Sequence, residues 1–146
     1  MSDPHALRLQ FLAERVPFHQ FLGIEFLAAE GGTARLRLPY RPEFIGDPQR
    51  PALHGGVLAT LVDVACGAAV LGVIDLRDRC STVDFRVDFL RPGQAADLFV
   101  DAKVLRTGNR VAAAQAVVHH GDPSDPVADG RAVYNVVRRS SSQSEQ

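Results

Sequence analysis

Polar and apolar positions change period three times along this chain. Behind Asp3-Pro4, Leu7, Phe11 and Leu12 fall at helical spacing, which predicts a helix to about Arg15 that Pro17 ends. Phe18 to Leu22 predict a second, short helical turn. Ile24 to Ala29 then reads as a strand, Gly31-Gly32 as a tight turn, and Thr33 to Pro39 as the partner strand. In the partner, Ala34, Leu36 and Leu38 alternate with Thr33, Arg35 and Arg37, the period of a half-buried strand. Residues 40–52 hold Pro42, Pro48, Pro51 and Gly46, which predicts a loop without regular structure.

The longest apolar segment follows, from about Leu53 to Ile74. It is rich in small residues (Ala59, Ala65, Gly67, Ala68, Ala69, Gly72) and predicts a helix buried nearly all round, closely approached by other backbone. The period then returns to two. Val83, Phe85, Val87 and Phe89 alternate with Thr82, Asp84, Arg86 and Asp88, and Arg91-Pro92-Gly93 turns the chain. Ala96–Arg106, Arg110–His120 and Val127–Arg138 read as three further strands, joined by Thr107-Gly108-Asn109 and by a loop over 121–126. This order predicts an α+β domain over residues 1–138: one antiparallel sheet wrapped around one long central helix, with residues 1–20 as an N-terminal helical segment. Residues 139–146 read as a disordered polar tail. Such a sheet leaves an edge strand open, so two copies are expected to pair edge to edge as a homodimer with a continuous sheet.

Composition narrows the function. The chain has 146 residues, 46% of them hydrophobic, enough for one well-filled core. A net charge of −1 and the lack of a basic region interleaved with aromatics argue against nucleic acid. Cys66 and Cys80 form no CxxC pair and no cysteine–histidine cluster at zinc spacing, so no metal site is expected. His119 and His120 are neighbours on a strand, point to opposite faces and are given no role. The polar start Met1-Ser2-Asp3-Pro4-His5 and the absence of a membrane-length apolar run predict a soluble, cytoplasmic protein with no membrane partner.

Within the apolar helix stands Asp63, flanked by Leu61, Val62, Val64 and Ala65. A desolvated ionised carboxylate costs several kcal/mol unless it is paired, and such a group suits a general base or nucleophile. Gly55 and Gly56 stand at the mouth of the same helix, where free N–H groups and the helix dipole favour negative charge. The plainer reading of the two glycines is backbone freedom at a helix start, and the two readings are compatible. Gly55 and Asp63 are eight residues apart, about 12 Å along a helix at about 1.5 Å per residue. One helix therefore cannot easily bring both to one carbonyl, but two antiparallel copies across a two-fold axis can. His54 is a capping residue or a group that orients the carbonyl. Ser81 and Thr82 offer hydroxyls just after the helix, without the GxSxG elbow of a serine nucleophile. Arg91, Arg106 and Arg110 lie at strand ends and turns, where they are solvated charges or phosphate contacts. No Walker loop and no GxGxxG accompanies them.

Three segments resemble the hotdog-fold acyl-CoA thioesterases of the PaaI type, the phenylacetic-acid-pathway group. They are Leu53-His54-Gly55-Gly56-Val57-Leu58-Ala59-Thr60-Leu61-Val62-Asp63, Phe44-Ile45-Gly46-Asp47-Pro48, and Asp84-Phe85-Arg86-Val87-Asp88-Phe89-Leu90-Arg91-Pro92. The order of elements matches from about residue 20 to 138. The resemblance implies a hotdog fold and hydrolysis of a small or medium acyl- or aryl-acyl-CoA. It implies Asp63 as catalytic carboxylate, the Gly55 N–H on the thioester carbonyl beside Gly56, and His54 as its positioner. Thr82 or Ser81 would steady the water, and Arg91, Arg106 and Arg110 would lie near the phosphates of coenzyme A. Coenzyme A would be part of the substrate, with no separate cofactor, and the assembly a dimer that often pairs into a tetramer. Many members carry Asn where this chain has Asp47, and an ionised Asp cannot donate a hydrogen bond. Two other readings are a hotdog dehydratase of 3-hydroxyacyl thioesters and a non-catalytic acyl-CoA-binding module.

Overall fold

The computed structural model describes residues 3–139. The polar tail from residue 140 lies outside the described residues. The chain opens with α1 (Pro4–Glu14), where Pro4 sits at the first helical position and the Asp3 side chain accepts from the His5 N–H. Its inward face differs from the expected one. Leu12 is buried and Leu9 packs on the core, while Leu7 and Phe11 are exposed. Arg8 shares the inward face and donates to the main-chain oxygens of Leu71, Ile74 and Asp75. A helix end leaves carbonyls without partners, and a guanidinium carries enough donors to serve several of them. α2 (Pro17–Leu22) follows and ends at Gly23, whose φ of 78° is open mainly to glycine.

β1 (Glu25–Glu30) and β2 (Thr33–Leu38) form the expected hairpin around Gly31 and Gly32. Residues 40–52 depart from the loop read there. Pro42–Phe44 make one turn of 3-10 helix, and β3 (Ile45–Asp47) pairs with β4 (Ala52–Leu53) in a two-stranded ribbon. The prolines fit because Pro42 opens the helical turn and Pro48 and Pro51 stand between the two short strands. The ribbon leads into α3 (Gly55–Leu71), shorter at both ends than the apolar run.

After α3 come β5 (Arg79–Phe89), β6 (Leu98–Thr107), β7 (Val111–His119) and β8 (Ala128–Val137). The sheet has six antiparallel strands in the order β1-β2-β6-β7-β8-β5, with α3 lying across β2, β6, β7, β8 and β5. The fold is the hotdog: an antiparallel sheet packed on one long central helix. Leu58, Leu61, Val62, Ala65, Cys66, Ala69 and Val70 are buried. Burial is not complete around α3, as the apolar run had suggested. Val57, Thr60, Asp63, Val64, Gly67 and Leu71 form a half-buried stripe. A single sheet covers one side of a helix, and α1 and the hairpin reach part of the rest.

β5 occupies one edge of the sheet, and Val83, Phe85 and Phe89 on it are exposed at 64%, 40% and 58%. Helix and sheet approach closely at Gly130. A Cβ there would stand 2.4 Å from the Arg86 carbonyl oxygen and 2.8 Å from a methyl of Val62. Both neighbours are hemmed in, so Gly130→Ala is expected to lower the unfolding free energy by about 3 kcal/mol in urea titration. A cost below about 0.5 kcal/mol would show that helix and sheet are not held this closely.

Candidate active site

The start of α3 is built by its neighbours. The His54 N–H donates to the Phe44 carbonyl at 2.8 Å, tying the ribbon to the helix mouth. His54 is the N-cap residue, with φ −64° and ψ 132°, and its Nδ1 accepts from the Gly56 N–H at 2.8 Å. Nδ1 is then the unprotonated nitrogen, so neutral His54 carries its proton on Nε2. The side chain is exposed and leaves that Nε2–H available at the mouth of the helix. The Gly55 N–H has no acceptor among the described residues. It stands at the positive end of the helix dipole. The Phe89 ring reaches to 3.1 Å of where a Gly55 Cβ would be. Gly46 passes closer still to His54, since a Cβ on it would meet the His54 Cα at 2.7 Å. The obstacle at Gly46 is backbone, which fixes glycine there, whereas at Gly55 it is the rim of an exposed ring that can give way.

Asp63 lies two turns further along, half-buried on the open stripe of α3. Thr82 Oγ1 donates to its Oδ1 at 2.8 Å. The Tyr134 hydroxyl donates to the Asp63 main-chain oxygen at 2.5 Å and lies 3.1 Å from Oδ1. A break in strand phase makes this possible. β5 pairs with β8 through Thr82↔Tyr134 and then Asp84↔Val133, which leaves Val83 as an unpaired bulge. Thr82 therefore faces α3 together with Tyr134, and beyond the bulge Phe85, Val87 and Phe89 take over that face. The simple alternation read from the sequence placed Thr82 opposite those three, and the bulge corrects it. Burial pushes the Tyr134 phenol well above the ordinary tyrosine range, with the Asp63 charge adding to it, so the hydroxyl stays a donor. Burial likewise pushes the Cys66 thiol up to about 12, helped by the same carboxylate.

The other candidates are spread out. Ser81 pairs with Asn135 and, one residue before Thr82, lies on the opposite face of the strand. Asp47 turns to its own loop: Arg50 Nε reaches Oδ2 at 2.8 Å and the Gln49 N–H reaches Oδ1 at 3.0 Å. The Arg50 bond holds its carboxyl below the usual range. Asp47 is thus an acceptor already in use, unlike an amide. Arg91 bonds Asp125, to its carbonyl at 3.1 Å and to its carboxylate at 3.0 Å, clamping the turn after β5 to the β7–β8 loop. Arg106 and Arg110 are exposed at the β6–β7 turn. That turn lies toward the C-terminal end of α3, where Gly32 meets both Val104 and Val73. Within one chain they stand at the other end of the helix from Gly55. Among the described residues no three or more His, Cys, Asp and Glu side chains gather as a metal site, and no helix is long and apolar enough to cross a membrane.

Tyr134 and Phe89 also border the site, and the sequence alone assigned neither of them a role. Tyr134 shares a strand phase with Ala132 and Val136, both buried, so its inward direction is legible. That β8 runs beside β5, with Thr82 opposite, is not.

The thioesterase-superfamily family model matches residues 51–127, a span that holds His54, Gly55, Asp63 and Thr82. The chain belongs to the thioesterase superfamily. A relative named medium/long-chain acyl-CoA thioesterase YigI, from Escherichia coli strain K12, is 34% identical over 93% of this chain and 97% of its own length. A crystal structure described as a thioesterase-superfamily protein is 35% identical, with a TM-score of 0.81 over 94% of this chain and 100% of that one. The Escherichia coli PaaI structure shares the fold, with a TM-score of 0.81 at 20% identity over 92% of this chain and 94% of that one. The superfamily match ends before β8, so Tyr134 lies outside it.

His54 is expected to act first as a cap. His54→Ala should lower the unfolding free energy by about 1 kcal/mol, whereas His54→Asn, which keeps an acceptor for Gly56, should restore most of it. Equal stability of the two variants in thermal melts would remove the capping role.

Proposed function

We propose that this superfamily member is an acyl-CoA thioesterase whose active site is completed by two copies of the chain. The observation that carries the activity is a close relation to a named acyl-CoA thioesterase over nearly the whole chain. The same relative supports a medium- to long-chain acyl group. A cytoplasmic location belongs to the same reading, and coenzyme A is the leaving group rather than a cofactor.

Asp63 supplies the carboxylate, as general base toward water or as nucleophile. In the general-base route Asp63 takes a proton from water as the oxygen adds to the thioester carbon. The carbonyl electrons move to oxygen, and the Gly55 N–H, backed by the helix dipole, stabilises that charge. Collapse of the tetrahedral species breaks the C–S bond, and the thiolate of coenzyme A leaves, regaining a proton. Thr82 holds Asp63, and the His54 Nε2–H is placed to steady the carbonyl.

Three features support a dimer. β5 is an open edge with exposed Val83, Phe85 and Phe89. Asp63 lies on the half-buried stripe of α3 beside that edge. The helix arithmetic separates Gly55 from Asp63 by about 12 Å in one chain. Antiparallel pairing of two β5 strands sets the Gly55 of one copy opposite the Asp63 of the other. Pairing of two dimers into a tetramer is the further step of this reading, and Arg91, Arg106 and Arg110 are its candidates for the phosphates.

Thiol release from a panel running from acetyl- to palmitoyl-CoA, with phenylacetyl-CoA included, tests the activity. Asp63→Ala should lose it by about 10³-fold. Binding without thiol release would favour an acyl-CoA-binding module, and enoyl product a dehydratase.

The shared site has its own test. Gly55→Pro removes the N–H at a position where proline suits a helix, and the ψ of 132° at His54 accepts a following proline. The variant should stay folded and lose about 10²-fold in kcat. Mixing it with Asp63→Ala subunits should recover up to about a quarter of wild-type activity, since a heterodimer across a two-fold axis holds one intact site. No recovery from dimers shown to have exchanged subunits would overturn the shared site.

A further inference from the structure

Asp63 has two carboxylate oxygens, and the protein treats them differently. Oδ1 accepts from Thr82 Oγ1 at 2.8 Å and has the Tyr134 hydroxyl at 3.1 Å. Among the described residues no donor reaches Oδ2. Tyr134 is 3% exposed, and its ring lies against α3, 3.5 Å from where a Gly67 Cβ would be. Its hydroxyl bonds the main-chain oxygen of the residue whose side chain it also touches. One phenol therefore fixes the Asp63 side chain relative to the helix that carries it.

We propose that Tyr134 is a positioning residue for hydrolysis, which with Thr82 loads Oδ1 with donors and presents Oδ2 as the reactive oxygen. This rests on the reading of Asp63 as the catalytic carboxylate. A carboxylate with one oxygen so occupied has one face left for water or thioester. The titratable groups facing the phenol are Asp63 and Cys66 on α3 and Cys80 on β5. Burial raises both thiols, so they stay neutral. The β7 residue paired with Tyr134 is Ala112, which carries no charge.

Tyr134→Phe keeps the ring and removes the donor. Its kcat should fall about tenfold with KM within about twofold. A lower melting temperature with an unchanged kcat would make Tyr134 a packing residue and overturn the proposal. Asp63→Asn separates the two readings. If it is inactive while Tyr134→Phe behaves as wild type, only the role of Tyr134 fails. If Asp63→Asn hydrolyses as wild type, both fail.

A second measurement stands where Tyr134→Phe does not fold. The chain has two tyrosines, so 3-fluorotyrosine in a Tyr40→Phe background labels Tyr134 alone. Its ¹⁹F resonance should shift in Asp63→Ala, which removes both carboxylate oxygens, and in Thr82→Val, which leaves Oδ1 to the phenol alone. A resonance that neither substitution moves overturns the proposal.

Discussion

One carboxylate has to be kept in place on a helix that is otherwise apolar. Half-buried beside Leu61, Val62 and Ala65, an ionised Asp gives up part of its hydration, and hydrogen bonds have to replace it. Thr82 donates one such bond to Oδ1, and Tyr134 shares its single proton between the main-chain oxygen and Oδ1. Everything near it follows from this need. β5 has to lie beside β8 for Thr82 and Tyr134 to face the same helix turn, and Val83 has to drop out of register for Thr82 to face inward at all. Asp63 also stays on the half-open stripe of α3, where a reactant can reach it.

The helix that carries Asp63 is fastened at both ends by groups from outside it. At the start, His54 caps Gly56 and hangs from the Phe44 carbonyl, which leaves Gly55 as the exposed donor. At the far end, Arg8 of α1 gathers the carbonyls of Leu71, Ile74 and Asp75. A site whose parts lie on one well-anchored helix keeps its geometry better than one on loops. The small residues of α3 serve the same end. Gly67 lets the Tyr134 ring lie against the helix, and Gly130 lets the strand behind it do so.

Much of this was legible in the sequence for a plain reason. The long apolar run with Asp63 inside it, the Gly31-Gly32 hairpin and the period-two segments are local patterns, and local patterns follow from helix and strand geometry. The hotdog architecture and the helix mouth at His54-Gly55 follow from their order. Other features depend on contacts between distant residues. Residues 45–53 form a ribbon because β3 and β4 find each other, and prolines alone suggested a loop. Leu7, Phe11 and Leu12 share helical spacing, yet of the three only Leu12 is buried; Leu9 packs on the core, and Arg8 turns in beside them to meet the end of α3. Tyr134 points inward by its strand phase, but its partner became visible only once β8 was placed beside β5.

The bulge at Val83 bears on how relatives of this chain are compared. Upstream of it the helix-facing positions of β5 are even-numbered, Cys80 and Thr82; downstream they are odd-numbered, Phe85, Val87 and Phe89. An ungapped alignment to a homologue with a regular strand would therefore equate residues on opposite sides of the sheet over half of its length. A hydroxyl displaced by one column is then a different chemical object, facing solvent instead of the carboxylate. Ser81 and Thr82 stand side by side in this sequence on either side of that distinction, and only the pairing of the strand tells which of them a homologue has kept.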